Sequence, residues 1–259
     1  MKRSLQYGGT GYASASPVLE DFVTHASRTT MLSELLLLLE AVPAGSSPDG
    51  YRSAVLDENV LLKGAATTRT KSLRHLRELY VLREEDARYG ALRTLWDQDP
   101  PSRPLLALLC AVSRDELLRA TAELVIETPG GAAVNAGMLS GAVAESFPDR
   151  LAPGIVAKVG RNAASSWTQS GHLQGRAKKV RARAAASIGA VVYALMLGHL
   201  SGVRGLPLYE TLWARLLDAP ANEIDALAFA ASQRGLLEYR RMGDVAEFGF
   251  SGLLGGERG

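Results

Sequence analysis

The chain has one cysteine, Cys110, and with no second thiol it can form no internal disulfide. That excludes a disulfide-stapled secreted scaffold, and a reducing cytoplasm is the compartment expected. Cys110 lies in the apolar run Leu105–Val112 and reads as a small buried residue. Aromatic residues make up only 6% of the 259 positions while Ala and Leu abound, which favours packed helices over sheets. Long hydrophobic runs are missing too. Met31–Val42 holds Leu35–Leu39 but carries Glu34 and Glu40, and Ile188–Leu200 ends on His199 and Leu200 just before Gly202. A membrane-spanning helix needs about 20 apolar residues, so both are expected as buried core helices. The start, Met1-Lys2-Arg3-Ser4, is basic without the apolar region of a signal peptide.

Acidic residues are absent from a long stretch. Between Arg150 and Tyr209 there is no Asp or Glu, while Arg150, Lys158, Arg161, Arg176, Lys178, Lys179, Arg181, Arg183 and Arg204 all fall there. The whole chain is only +2, so the excess is local and the remainder of the chain is acidic. A smaller excess runs from Lys63 to Arg83, where Arg69, Lys71, Arg74 and Arg77 meet only Glu78. Segregated charge of this kind is the footprint of a polyanion site.

Catalytic signatures are missing as well. His25, His75, His172 and His199 stand apart, with no CxxC pair and no HExxH, so neither a metal nor a cofactor is expected. Ala65–Ser72 ends in Thr70-Lys71-Ser72, but Ala65 and Thr70 replace both glycines of a phosphate-binding P-loop, and a helix precedes it. No GxSxG nucleophile elbow occurs, although a Ser/His/Asp triad assembles in space and escapes a sequence reading. The chain is therefore expected not to be an enzyme.

The pattern is that of a mainly α protein with a β-hairpin near its C-terminus. Ser16-Pro17 opens a helix to about Ala26, Thr29 or Thr30 caps Met31–Val42, and Pro48-Asp49 begins a helix to about Leu62. After the break Lys63–Thr67, Thr67 or Thr68 caps a helix to about Leu82 with the apolar stripe Leu73, Leu76, Leu79 and Tyr80. Helix, turn and basic capped helix over residues 48–82 form a candidate helix-turn-helix. Helices follow over Asp86–Trp96, Ser102–Val112, Asp115–Ile126, Asn135–Phe147 and Pro153–Thr168. Thr128-Pro129-Gly130-Gly131-Ala132 is the candidate boundary between an N-terminal domain, 1–128, and a C-terminal one, 129–259.

Gly171–Arg183 breaks the helical pattern and is expected as an irregular or β-ribbon arm. Five cations in its last eight residues have no acid nearby, and Gly171 and Gly175 let the backbone approach a phosphate. Trp167, Gln169 and His172 beside the arm offer stacking and hydrogen bonds. Ser187 caps a buried helix to Gly202. Leu208–Leu217 and Ala221–Arg234 are then followed by alternating strands around Met242-Gly243-Asp244. Helix, helix, hairpin over residues 208–250 matches a winged helix.

Asp57-Glu58-Asn59-Val60-Leu61, then Lys63-Gly64-Ala65-Ala66-Thr67-Thr68-Arg69 and Leu73-Arg74-His75-Leu76-Arg77-Glu78-Leu79-Tyr80, resemble the BrxA family, small helical components of bacterial BREX phage-defence systems. The resemblance covers about 20–30 residues well and the rest by element order. It implies a non-catalytic DNA-binding accessory protein acting beside a methyltransferase and ATPases, with the DNA role falling on Lys63, Thr67, Thr68, Arg69, Lys71 and Arg74. The charge pattern adds Arg161, Arg176, Lys178, Lys179, Arg181 and Arg183. The expected partner is double-stranded DNA held mainly through its phosphates. Other defence proteins, or RNA, are the alternatives.

Overall fold

The structure is a computed structural model describing residues 28–254, so the helix expected from Ser16 and the residues before it lie outside the described residues. The described chain is mainly helical, with two small antiparallel ribbons.

Two helices make its centre. Helix α5 (Arg103–Arg114) is buried from Leu105 to Arg114, and α10 (Ile188–Leu200) from Gly189 to Gly198. A helix apolar on every side has no face to give to water and is covered all round. Here α4 (Ala87–Gln98), α5, α11 (Leu212–Arg215) and α12 (Ala221–Gln233) surround α10. Around α5 lie α3 (Ala66–Tyr80) and α9 (Pro153–Gln169), with α1 (Leu32–Ala41) and α2 (Pro48–Leu56) completing the N-terminal side. Most buried hydrophobic residues from Met31 to Phe250 belong to one core, and Leu117, Val143 and Val159 form a second small cluster. The core thus runs without a break across the boundary expected at 128–132. That segment is also not a free linker: the Gly131 N–H donates to Arg181 O at 2.8 Å, and Val134 N–H to Lys179 O at 3.0 Å.

Helix α10 is started by another part of the chain. Its N-cap Ser187 makes no capping bond to its own helix; instead Asp99 Oδ2 accepts from Gly189 N at 2.7 Å and Ser102 Oγ from Ala190 N at 3.0 Å. Such donors otherwise lack partners, so a turn ninety residues upstream takes the role expected of Ser187. Likewise α3 begins at Ala66 with no side-chain cap, not at a Thr67 or Thr68 cap.

Helix α2 stops at Leu56, earlier than expected, because Asn59 turns left-handed (φ 56°) and its Oδ1 accepts the Lys63 N–H at 2.9 Å. The α2–α3 connection, residues 57–65, is thus longer than the three or four residues of a helix-turn-helix turn. The helix expected over Asp115–Ile126 divides into α6 (Glu116–Arg119) and α7 (Ala122–Glu127). Between them buried Thr121 donates to Leu118 O and accepts the Trp167 Nε1 hydrogen at 2.8 Å. Leu208–Leu217 divides in the same way, into a 3-10 turn over Leu206–Glu210 and α11.

Helices α8 (Ala136–Ser146) and α9 lie close enough that a side chain on Gly160 would run into Ser140 Oγ and Ala136 O. Strands β1 (Leu173–Gln174) and β2 (Val180–Arg181) form the first ribbon, within the segment where an irregular or β-ribbon arm was expected. Strands β3 (Glu238–Met242) and β4 (Val245–Gly249) form the second, turning at Gly243 with φ 59°. The short α13 (Ser251–Leu254) follows.

Candidate nucleic-acid interface

Helix α9 and the β1–β2 ribbon carry a cationic surface. On α9, Lys158 and Arg161 are three residues apart, both exposed, with Ser165 and Thr168 continuing the same side. That spacing keeps side chains on one face, and ten residues of helix extend it by about 15 Å. The ribbon folds onto its end: Lys179 Nζ donates to Thr168 Oγ1 at 2.8 Å, where the C-terminal dipole of α9 also favours a cation. Arg176 and Lys178, on the turn between β1 and β2, are exposed. Lys158, Arg161, Arg176 and Lys178 have no ion pair with any described residue.

Two expected arm residues are placed otherwise. Arg181 is 5% exposed, and its guanidinium forms a two-pronged pair with Asp218 while its Nε donates to Val125 O at 2.7 Å. It is a structural cation and cannot reach a phosphate, a correction to its expected role. Arg183 is exposed but pairs with Glu223, and its Nε donates to Asp218 O at 2.9 Å. The acids that answer the arm come from the segment around α11 and α12, so local sequence could not reveal them.

Trp167 and His172 are fully buried and stand edge to face at 5.0 Å, and Gln169 Oε1 accepts from Thr30 Oγ1 and Leu32 N. These three form the support of the arm and do not face a ligand. His172 has Ser170 and Asp218 beside it: Ser170 Oγ lies 2.8 Å from Nδ1, and Nε2 lies 4.0 Å from Asp218 Oδ2. This resembles a Ser/His/Asp constellation in composition only. The Nε2 hydrogen goes to Leu216 O at 2.9 Å, fixing the neutral tautomer, and both Ser170 and His172 are buried. Burial pushes the His172 pKa down to about 4; the Asp218 charge opposes this and Arg181 reinforces it.

The second expected surface is α3. Thr67, Lys71 and Arg74 are exposed at positions i, i+4 and i+7, so the structure brings these three together. Thr68 and Arg69 are half-buried, and the Arg69 Nε is enclosed. Lys63 is spent on Glu34 at 3.0 Å, and Arg74 lies 3.5 Å from Glu78. The sequence counted Lys158 in the acid-free stretch without naming it as a contact, and gave no sign of Ser165 and Thr168 beside it. The spacing of Lys158 and Arg161 within an acid-free helix was the available signal.

The C-terminal hairpin is anchored and electrically mixed. Asp225 on α12 accepts from Tyr209 at 2.9 Å, Tyr239 at 2.5 Å and Arg241 at 2.6 Å, while Phe248 stacks on Tyr239 at 4.9 Å. Its tip exposes Met242 (86%) and Val245 (66%), which pair across the strands beside Asp244. Among the described residues, no group of three or more His, Cys, Asp or Glu is placed to hold a metal ion. No helix there is long and apolar enough to cross a membrane. No family model, no curated protein and no solved structure matches the chain.

Proposed function

We propose that this protein is a non-catalytic, duplex-DNA-binding accessory protein, and that the BrxA-like stretch over residues 57–80 sets it in bacterial phage defence of the BREX type. The observation that carries the DNA reading is the cationic surface of α9 and the β1–β2 turn. Lys158, Arg161, Arg176 and Lys178 stand exposed there without an acidic partner among the described residues. Like charges held close on a folded surface repel one another, and a polyanion relieves that repulsion while releasing its own counterions. The exposed Thr67, Lys71 and Arg74 of α3 offer a second contact of the same kind. Contacts through phosphates position a duplex without reading its bases.

The test is fluorescence anisotropy of a labelled duplex of about 30 base pairs across a salt series. Four phosphate contacts give a log–log slope near −3.6, and an affinity loss on the order of a hundredfold between 50 and 200 mM salt. Replacing Lys158, Arg161, Arg176 and Lys178 by Ala flattens that slope. Absence of binding at low salt removes the reading.

A second reading, an adaptor that docks other proteins, is favoured by the hairpin. Its tip is apolar at Met242 and Val245, beside Asp244. A complex lost on Met242→Ser/Val245→Ser, with duplex binding intact, supports that reading.

A further inference from the structure

A groove of about 510 Å³ lies between α2 and α3. Its α3 wall is one stripe of that helix, Thr70, Leu73, Arg74 and Arg77, the i, i+3, i+4, i+7 positions. Arg52 and Leu56, one turn apart on α2, form the facing wall, and Arg114 closes the groove from the end of α5. Four guanidinium groups therefore line a concavity in which Glu78 is the single carboxylate among the described residues.

Arg77 is held in a way that leaves its charge in place. Arg77 Nη2 donates to Pro48 O at 3.1 Å and Arg114 Nε to Glu78 O at 2.8 Å. A carbonyl oxygen orients a guanidinium without neutralising it. Glu78 is divided, with one oxygen 3.5 Å from Arg74 and the other 3.0 Å from His75. Arg52 is exposed and has no ion pair with any described residue. Several guanidinia lining one groove suit the oxygens of a phosphate group, through paired N–H donors. The Thr70 hydroxyl hydrogen is donated to Ala66 O at 3.1 Å, and Leu56 and Leu73 give an apolar floor.

We propose that this groove binds a phosphate group through Arg52, Arg74 and Arg77, independently of the α9 and ribbon surface. The phosphate comes either from a free phosphomonoester such as a nucleotide or from a nucleic-acid backbone, and the chemistry of recognition is the same.

The experiment is calorimetric titration of the full chain with inorganic phosphate, adenosine 5′-monophosphate and adenosine. Saturable binding of the two phosphates but not of adenosine is expected. Weakening of at least tenfold in Arg52→Ala and in Arg74→Ala is expected as well. Both side chains are exposed, so neither change disturbs the fold; Arg183→Ala, a paired cation elsewhere, serves as the control and leaves the affinity unchanged. Displacement of the nucleotide by duplex DNA assigns the site to a backbone phosphate, and failure to displace it assigns the site to a free phosphomonoester. No saturable phosphate binding overturns the proposal, as does equal binding of adenosine or unchanged affinity in both variants. Duplex binding lost only with the α9 and ribbon variants keeps the fate of the DNA reading separate.

Discussion

Arg181 and Asp218, 37 residues apart, form a two-pronged ion pair inside the protein, with Arg181 Nη1 2.7 Å from Asp218 Oδ2 and Nη2 on the other oxygen. Asp218 also accepts the Ala184 N–H at 3.0 Å, and its own carbonyl receives Arg183. Asp218, three residues past the end of α11, is therefore the hub that ties the ribbon to the helical core. Removing one partner of a buried pair strands the other's charge, at a cost of about 3–5 kcal/mol. Arg181→Ala and Asp218→Ala are each expected to lose that much stability, read as a shift in the urea midpoint. A loss below about 1 kcal/mol would mean the pair is not formed.

Acid stability follows from the same place. Burial alone would raise the Asp218 carboxyl, but the Arg181 hydrogen bond and the Ala184 N–H outweigh it and hold it below its ordinary value. Its contribution is present above the unfolded pKa near 3.8 and is lost as pH falls through the lower folded value. His172 acts in a higher window. Its pKa is about 4 when folded against 6.5 when free, so the unfolded chain binds its proton first. Stability is full above pH 6.5 and falls by about 3 kcal/mol as pH drops to 4. Urea titrations at three pH values within that window check the slope. A His172 ring signal titrating near 6.5 by NMR would contradict it.

Gly160 is the contact point of α8 and α9. Gly160→Val forces a side chain against Ser140 Oγ and Ala136 O, so the helices must part. Overpacking of this kind costs about 1–3 kcal/mol. Gly154→Ala, on the same helix with nothing near the added carbon, is expected to change stability little. Comparing the two thermal midpoints separates crowding from helix propensity.

Asp225 gathers three donors from the 3-10 turn and the hairpin. Asp225→Ala is expected to loosen β3 and β4 by about 1–2 kcal/mol, the scale of hydrogen bonds to a partly exposed charge. Hydrogen exchange should accelerate in the amides of residues 238–249 and stay unchanged in α10. Uniform acceleration throughout would place the effect on global stability instead.

The arm provides a paired test of the proposed interface. Arg176→Ala is expected to reduce the salt slope of duplex binding by about 0.9, the value of one phosphate contact. Arg183→Ala, whose charge is already answered by Glu223, is expected to leave the slope nearly unchanged. Equal effects of the two would show that the ion pair opens on binding.

Periodicity and punctuation in the sequence were enough to mark most of the helices, the β-ribbon around Gly175 and the hairpin at Gly243, because those signals are local. Proline at an N-terminus, glycine in a left-handed turn and an all-apolar α10 act within a few residues of themselves. What the linear chain could not carry was pairing across distance. Asp99 and Ser102 start α10 in place of Ser187, Thr121 divides a helix in order to receive Trp167, and segment 131–134 binds β2 where a linker was expected. The charge pattern was subject to the same limit. Nine cations without an acid in their own stretch are evident from composition, but only the fold brings Glu116, Asp218 and Glu223 to Arg150, Arg181 and Arg183 and leaves Lys158, Arg161, Arg176 and Lys178 exposed. Composition determines how much charge a segment bears. Which charges remain to meet a partner is decided by tertiary structure, since an ion pair depends on distance in space and not on distance along the chain.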